Sequence, residues 1–240
     1  MHVTTLDFVV AAAAVLMGSM VQGSIGFGLN LLAAPFIAIV IPEALPFALV
    51  LIALPVTVTT FAREHHARHR LALPWMLAGA VPGTLVGLLI LGAVDATGLA
   101  IIVGAVTVVG VLLSVLTPPV PINRGTAVGA GLLSNVSGTA AAVGGPPVAL
   151  LFQHEKGPVA RATLGAFFMV SASLSIVGYF LTGNTTVDQL LLALALAPFM
   201  VAGLWISRHL HVHVDGGWLR PAVLTISAIA GLTAIIRGLG

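Results

Sequence analysis

The sequence predicts an all-α integral membrane protein. It reads as an inverted repeat of two five-segment halves, each opening with a broken or re-entrant helical hairpin. Three observations carry this. The chain of 240 residues is 59% hydrophobic and only 7% charged, with a mean hydropathy of +1.15, and soluble domains do not contain such long uncharged apolar runs. Two glycine-rich, proline-ended stretches interrupt it: Gln22–Asn30 closing at Pro35, and Ser137-Gly138-Thr139 running to Gly144-Gly145-Pro146-Pro147. The basic residues, finally, fall on one side of the topology that these segments define.

Charged and turn-forming residues cut the chain into ten apolar pieces, at roughly 6–22, 24–42, 44–62, 71–92, 97–116, 124–138, 140–153, 162–181, 187–207 and 219–238. A span needs about 20 residues. The sixth and seventh pieces, bracketed by Arg124 and Glu155, have about 15 each, or ~23 Å against a core of ~30 Å. They are expected to enter the membrane and turn back at the second glycine motif. The pieces then repeat in order: the hairpin 6–42 corresponds to 124–153, 44–62 to 162–181, 71–92 to 187–207, and 97–116 to 219–238. One transporter domain, 1–240, thus divides into repeats 1–120 and 121–240. An odd number of segments per half inverts the second half.

With the N-terminus outside, one set of loops collects Arg63, Arg68, Arg70, Arg124, Lys156, Arg161, Arg208 and Arg220, leaving only Arg237 on the other side. That asymmetry is the positive-inside signature, and it predicts both termini outside. It also accounts for the basic balance without nucleic acid. The N-terminus has no Lys or Arg ahead of its apolar run, so that run is expected to stay as a span.

The absences narrow the chemistry. There is no cysteine, hence no disulfide, thiolate metal site or thiol redox centre. The seven acids (Asp7, Glu43, Glu64, Asp95, Glu155, Asp188 and Asp215) all fall at predicted span ends or in loops, so a buried carboxylate proton relay is not expected. The histidine clusters His65, His66, His69 and His209, His211, His213 do not meet zinc-site spacings, and arginines interleave the first. No metal, cofactor or enzymatic activity is expected.

The motifs "GSIGFGLNLLAAP" and "SGTAAAVGGPPVAL" and the small-residue run "AGAVPGTLVGLLI" resemble the TauE/SafE family of sulfite and organosulfonate exporters, also called the four-toluene-sulfonate uptake permeases. The resemblance covers nearly the whole chain. Asn30 stands where many members carry glycine, and Ala140–Ala142 make the second motif less glycine-rich. The resemblance implies a bacterial inner-membrane transporter of small sulfur-containing anions or organic acids, with the motifs lining the pathway and export the direction.

With no charge expected mid-membrane, the backbone is left to hold an anion. A helix that starts after a glycine break turns unpaired N–H groups and its positive dipole end toward the break. Two hairpins entering from opposite faces would bring two such ends together. The candidate substrate-binding residues are Gln22, Gly23, Ser24, Gly26, Gly28 and Asn30 in the first break. In the second they are Ser134, Asn135, Ser137, Gly138, Thr139, Gly144, Gly145 and Pro146. Gly79, Gly83 and Gly87, four apart, read as a helix-packing seam, and so do Gly104 and Gly110. Ser171, Ser173 and Ser175 read as bonded to their own helix backbone, the alternative being that one of them faces the pathway. The expected function is a secondary transporter of a small anion working by alternating access, the alternative being a passive anion pore through the same hairpins. Proton or sodium coupling and a homodimer are left open.

Overall fold

The computed structural model describes residues 3–118, 120–210 and 219–239. These form ten α-helices: α1 Thr5–Ile25, α2 Leu29–Val40, α3 Phe47–Glu64, α4 Ala72–Gly92, α5 Ala96–Leu116, α6 Arg124–Ala141, α7 Gly145–Leu151, α8 Gly157–Thr182, α9 Val187–Leu210 and α10 Leu219–Leu239. Several starts are written in the local sequence. Thr4 and Asp7 form a reciprocal capping box at α1, Asn123 and Thr126 another at α6, and the Asp95 carboxylate caps α5; each satisfies N–H groups that a helix start leaves unpaired.

Among the described residues, seven stretches are long and apolar enough to cross a membrane: α1, α3 with the turn after it, α4, α5, α8, α9 and α10. Their outward faces carry large exposed apolar side chains such as Leu85, Leu89, Leu116, Leu194 and Ile236. Lipid rather than water suits that surface.

The remaining three helices differ from the expected segments. The limbs of the hairpins are unequal, α1 having 21 residues against 12 in α2, and α6 18 against 7 in α7. The longer limbs run straight through Gly23 and Gly138, because single glycines only weaken a helix. They stop where the backbone turns left-handed, at Gly26 (φ +92°) and Ala142 (φ +61°), the conformation that closes a helix C-terminus.

Packing is tightest where side chains are smallest. A Cβ on Gly79 would run into the Val128 carbonyl, one on Gly83 would stand 2.5 Å from the Leu132 carbonyl, and one on Gly131 would meet the Met76 carbonyl. The four-residue spacing predicted a packing seam, and the helix it packs against is α6. α1 pairs with α9 in the same manner, through Gly203 against the Leu16 carbonyl and Gly23 against Ser207. Gly104 of α5 and Gly231 of α10 face each other, a Cβ on either approaching the other's carbonyl at 2.5 and 3.1 Å. α3 lies along α8, α2 along α10, and α7 along α5.

Two contacts fix the ends of the bundle. Gln189, in the first turn of α9, donates to the Glu43 carbonyl at 2.7 Å, placing the starts of α3 and α9 together. At the far end Arg161 of α8 bonds Glu64 of α3 and the Ser24 carbonyl of α1.

Candidate functional site

Each break has its own local cause. At the first, Gly26 and Gly28 have φ of +92° and +117°, a region glycine enters freely and other residues do not. The chain therefore turns sharply around Phe27 and starts α2. At the second, Ala142 is the only non-glycine among the described residues with positive φ, and Val143-Gly144 carries the chain into α7.

The two turns meet. A Cβ on Gly145 would lie 3.3 Å from the Phe27 ring. Around this junction is a cavity of ≈ 70 Å³, lined by both breaks and by Val50, Ala53 and Thr57 of α3 and Phe168, Ser171, Ala172 and Ser175 of α8. It has room for a few waters or one small oxyanion. Every residue lining it is uncharged.

Of the predicted site residues, Gln22, Gly28, Asn30, Ser134, Asn135, Gly138, Gly144 and Gly145 line the cavity. The other six have different surroundings. Gly23 packs on Ser207, and Gly26 faces the Arg161 backbone. Ser24 and Ser137 donate within their own helices, to the Met20 carbonyl at 2.8 Å and the Leu133 carbonyl at 2.9 Å. Thr139 is bonded to the Ser175 hydroxyl at 2.7 Å, and its carbonyl accepts from Tyr179. Pro146 fits against Gly110, where a Cβ would come within 2.6 Å of its ring.

Much of the polar lining is already engaged. Gln22 Oε1 accepts the Leu29 N–H at 3.1 Å and so caps α2 across the break. Asn135 Nδ2 donates to the Ala80 carbonyl at 3.1 Å and to Thr84 Oγ1 at 2.7 Å, tying α6 to α4. The Ser134 hydroxyl donates to the Gly144 carbonyl and pins the second turn, and Thr57 donates to the Leu54 carbonyl. Two residues of the lining each carry a fully buried atom without a protein partner: Asn30 Oδ1 and Ser171 Oγ.

The two helix starts differ in what they offer. Asn30 and Leu31, the second and third residues of α2, have no preceding turn to receive their N–H groups, and the dipole of a 12-residue helix adds to them. α7 is seven residues long and has Pro146 and Pro147 at its second and third positions. Proline has no N–H. The expected pair of donor-rich ends is therefore one donor-rich end. "GGPP" already carried that signal.

Other contributions could not be read from spacing. Ser173 does bond its own helix, to the Met169 carbonyl at 2.8 Å, but Ser171 and Ser175 on the same helix line the cavity. Arg161 and Glu64, 97 positions apart, meet at the first break. In the first histidine cluster the His65 and His66 rings stack at 3.7 Å between centroids, and His69 Nδ1 accepts the Ala72 N–H at 3.1 Å at the start of α4. His211, His213, Asp215 and the side chains of His209 and Arg220 lie outside the described residues.

Apolar outer faces, interrupted helices and an uncharged polar cavity at the interruptions define a multi-pass membrane transporter for a small solute. The chain belongs to the family described as Sulfite exporter TauE/SafE, which matches residues 10–234. It is a family of transporters of sulfite and sulfonates. No curated protein and no solved structure matches the chain.

Proposed function

We propose that the protein exports a small anion, such as sulfite, a sulfonate or a related organic acid, by alternating access, with the anion held between the two breaks. The observation that carries the reading is the convergence of both glycine motifs on one uncharged, polar cavity. In it the free N–H groups of α2 and neutral side chains replace a formal positive charge. Such a site binds weakly enough to release its cargo.

The packing supports two inverted repeats, 1–120 and 121–240. Exchanging α1–α5 for α6–α10 turns the α1–α9 pairing into α6–α4 and the α2–α10 pairing into α7–α5, and maps α3–α8 and α5–α10 onto themselves. All four results are pairings the fold contains. A two-fold arrangement of this kind lets one set of contacts open while its counterpart closes. The reading also keeps both termini outside a bacterial inner membrane, since Arg63, Arg68, Arg161 and Arg208 then share the cytoplasmic end.

Purified protein in liposomes loaded with sulfite, alkanesulfonates or small carboxylates should give saturable, protein-dependent flux of at least one of them. Absence of flux across the panel would overturn the reading. Single-channel current in a planar bilayer would replace the carrier by a pore.

A further inference from the structure

The cavity lies on a boundary between two groups of helices. α1 pairs with α9 and α9 with α3; in the other half α6 pairs with α4 and α4 with α8. The two sets, α1–α9–α3 and α6–α4–α8, exchange under the proposed repeat, and they meet along α3 and α8. Val50, Ala53 and Thr57 line the cavity from one side of that boundary, and Phe168, Ser171 and Ser175 line it from the other. A path from the cavity to either face of the membrane must part these two groups.

The boundary is fastened on both sides of the cavity, by different chemistry. About two helical turns beyond Thr57 and Phe168, or ~10 Å, Arg161 of α8 binds Glu64 of α3 and reaches the Ser24 carbonyl near the end of α1. About one turn beyond Val50 and Ser175, or ~5 Å in the opposite direction, the Phe47 ring of α3 meets the Tyr179 ring of α8. The two rings pack edge to face, with centroids 6.1 Å apart and planes at 88°. The Tyr179 hydroxyl donates to the Thr139 carbonyl at 2.6 Å and so holds its ring against α6. The ionic contact is partly exposed, whereas Phe47 and Tyr179 are buried. None of these four residues lines the cavity.

We propose that these contacts are the two latches of the transport cycle. Parting Arg161 from Glu64 opens the cavity to the arginine-rich end, the cytoplasmic one in the proposed topology, and parting Phe47 from Tyr179 opens it to the other. The inference rests on the alternating-access reading and adds which contact breaks in each half-cycle. The ionic latch releases two charged groups that water solvates well, so its net hold is modest. The aromatic latch holds by keeping two rings from water. Loss of either contact shifts the population toward the state in which that contact is already broken, by no more than the contact was worth.

The chain has no cysteine, so Ala53→Cys or Ala172→Cys supplies a single thiol on the cavity wall, one from each side of the boundary. Labelling by a membrane-impermeant methanethiosulfonate is timed in right-side-out and in inside-out membrane vesicles, without added anion. The rate from each face reports the share of molecules open to it. Glu64→Gln should speed labelling from the cytoplasmic face by about fivefold, the scale of one lost interaction, and not from the outer face. Phe47→Leu should speed labelling from the outer face by a similar factor and not from the cytoplasmic one. Tyr179→Phe, which frees that ring without removing it, should shift the same way as Phe47→Leu by less. A thermal melt of each variant reports its fold.

Faster labelling from both faces alike in Glu64→Gln or in the aromatic variants overturns the latches, since a contact that only holds the fold loosens both ends. Rates unchanged in the variants, or thiols labelled from neither face, overturn them as well. The reciprocal pattern with the faces exchanged upholds the latches and reverses the topology. Flux decides the export reading separately. Anion flux with unchanged labelling removes the latches and leaves export standing, whereas reciprocal labelling without flux of any anion in the panel keeps the latches and removes the cargo.

Discussion

Arg161 grips Glu64 with two prongs, Nη2 to Oε1 at 2.6 Å and Nε to Oε2 at 3.0 Å, and turns Nη1 to the Ser24 carbonyl at 3.4 Å. That carbonyl is among the last of α1, where a helix has unpaired acceptors and the negative end of its dipole. One side chain thus ties α8 to the end of α3 and to the tip of the first break, and a Cβ on Gly26 would come within 2.9 Å of the Arg161 Cα. The pair is about a quarter exposed, 22% and 27%, so solvent screens part of it.

This anchor should be measurable as a coupling. In a double-mutant cycle with Arg161→Met and Glu64→Gln, thermal or denaturant unfolding in detergent should give an interaction of about 1 kcal/mol. Glu64→Gln alone should cost less than Arg161→Met, because only the arginine also holds Ser24. Additive single mutants would show that the break does not rely on the pair.

The α4–α6 seam gives a sharper contrast within one helix. A Cβ on Gly131 meets the Met76 carbonyl, whereas one on Gly129 has nothing within 4 Å. Gly131→Ala must push two backbones apart and should cost about 1–3 kcal/mol. Gly129→Ala only removes the freedom of a helical glycine and should stabilise by about 0.5–1 kcal/mol. Melting temperatures of the two variants shifting in the same direction would refute the packing.

The same contrast shows what the sequence could reveal. Four-residue glycine spacing announced the seam, and the apolar runs announced the spans. Facing was harder to read. The i, i+4 spacing puts Ser171 and Ser175 on one face of α8 and Ser173 on the opposite one, but nearly every position there is apolar or small, so nothing in the pattern says which face meets the cavity. Helix rotation there is set by packing against α3 and α4, a tertiary property. The limb lengths were hidden for a related reason: helices tolerate Gly23 and Gly138, and a stop needs a left-handed residue, which composition does not mark when it is Ala142.

Ala142 carries a testable strain. Its φ of +61° places a Cβ in the left-handed region, at a cost of roughly 1–2 kcal/mol. Ala142→Gly removes that cost but gives the unfolded chain about 0.4–1 kcal/mol of extra freedom. The net should be a gain of about 0.5–1 kcal/mol. Gly28→Ala should do the reverse, since its φ is +117° and a Cβ there would lie 2.8 Å from Val21. A loss of stability in Ala142→Gly would mean that the methyl group makes contacts worth more than the strain.

The cavity side chains should divide by whether their removal strands a partner. Gln22→Leu leaves the Leu29 N–H without its 3.1 Å acceptor, and Asn135→Leu leaves the Ala80 carbonyl and Thr84 without theirs. Each should destabilise by about 1–3 kcal/mol as well as slow transport, because a buried group is left unpaired. Ser171→Ala strands nothing, as its hydroxyl has no protein partner. It should melt at the wild-type temperature or above and still lose flux. If Ser171→Ala instead destabilised the empty protein as much as Gln22→Leu does, its hydroxyl would be serving the fold, and the unengaged wall of the cavity would have to be sought elsewhere.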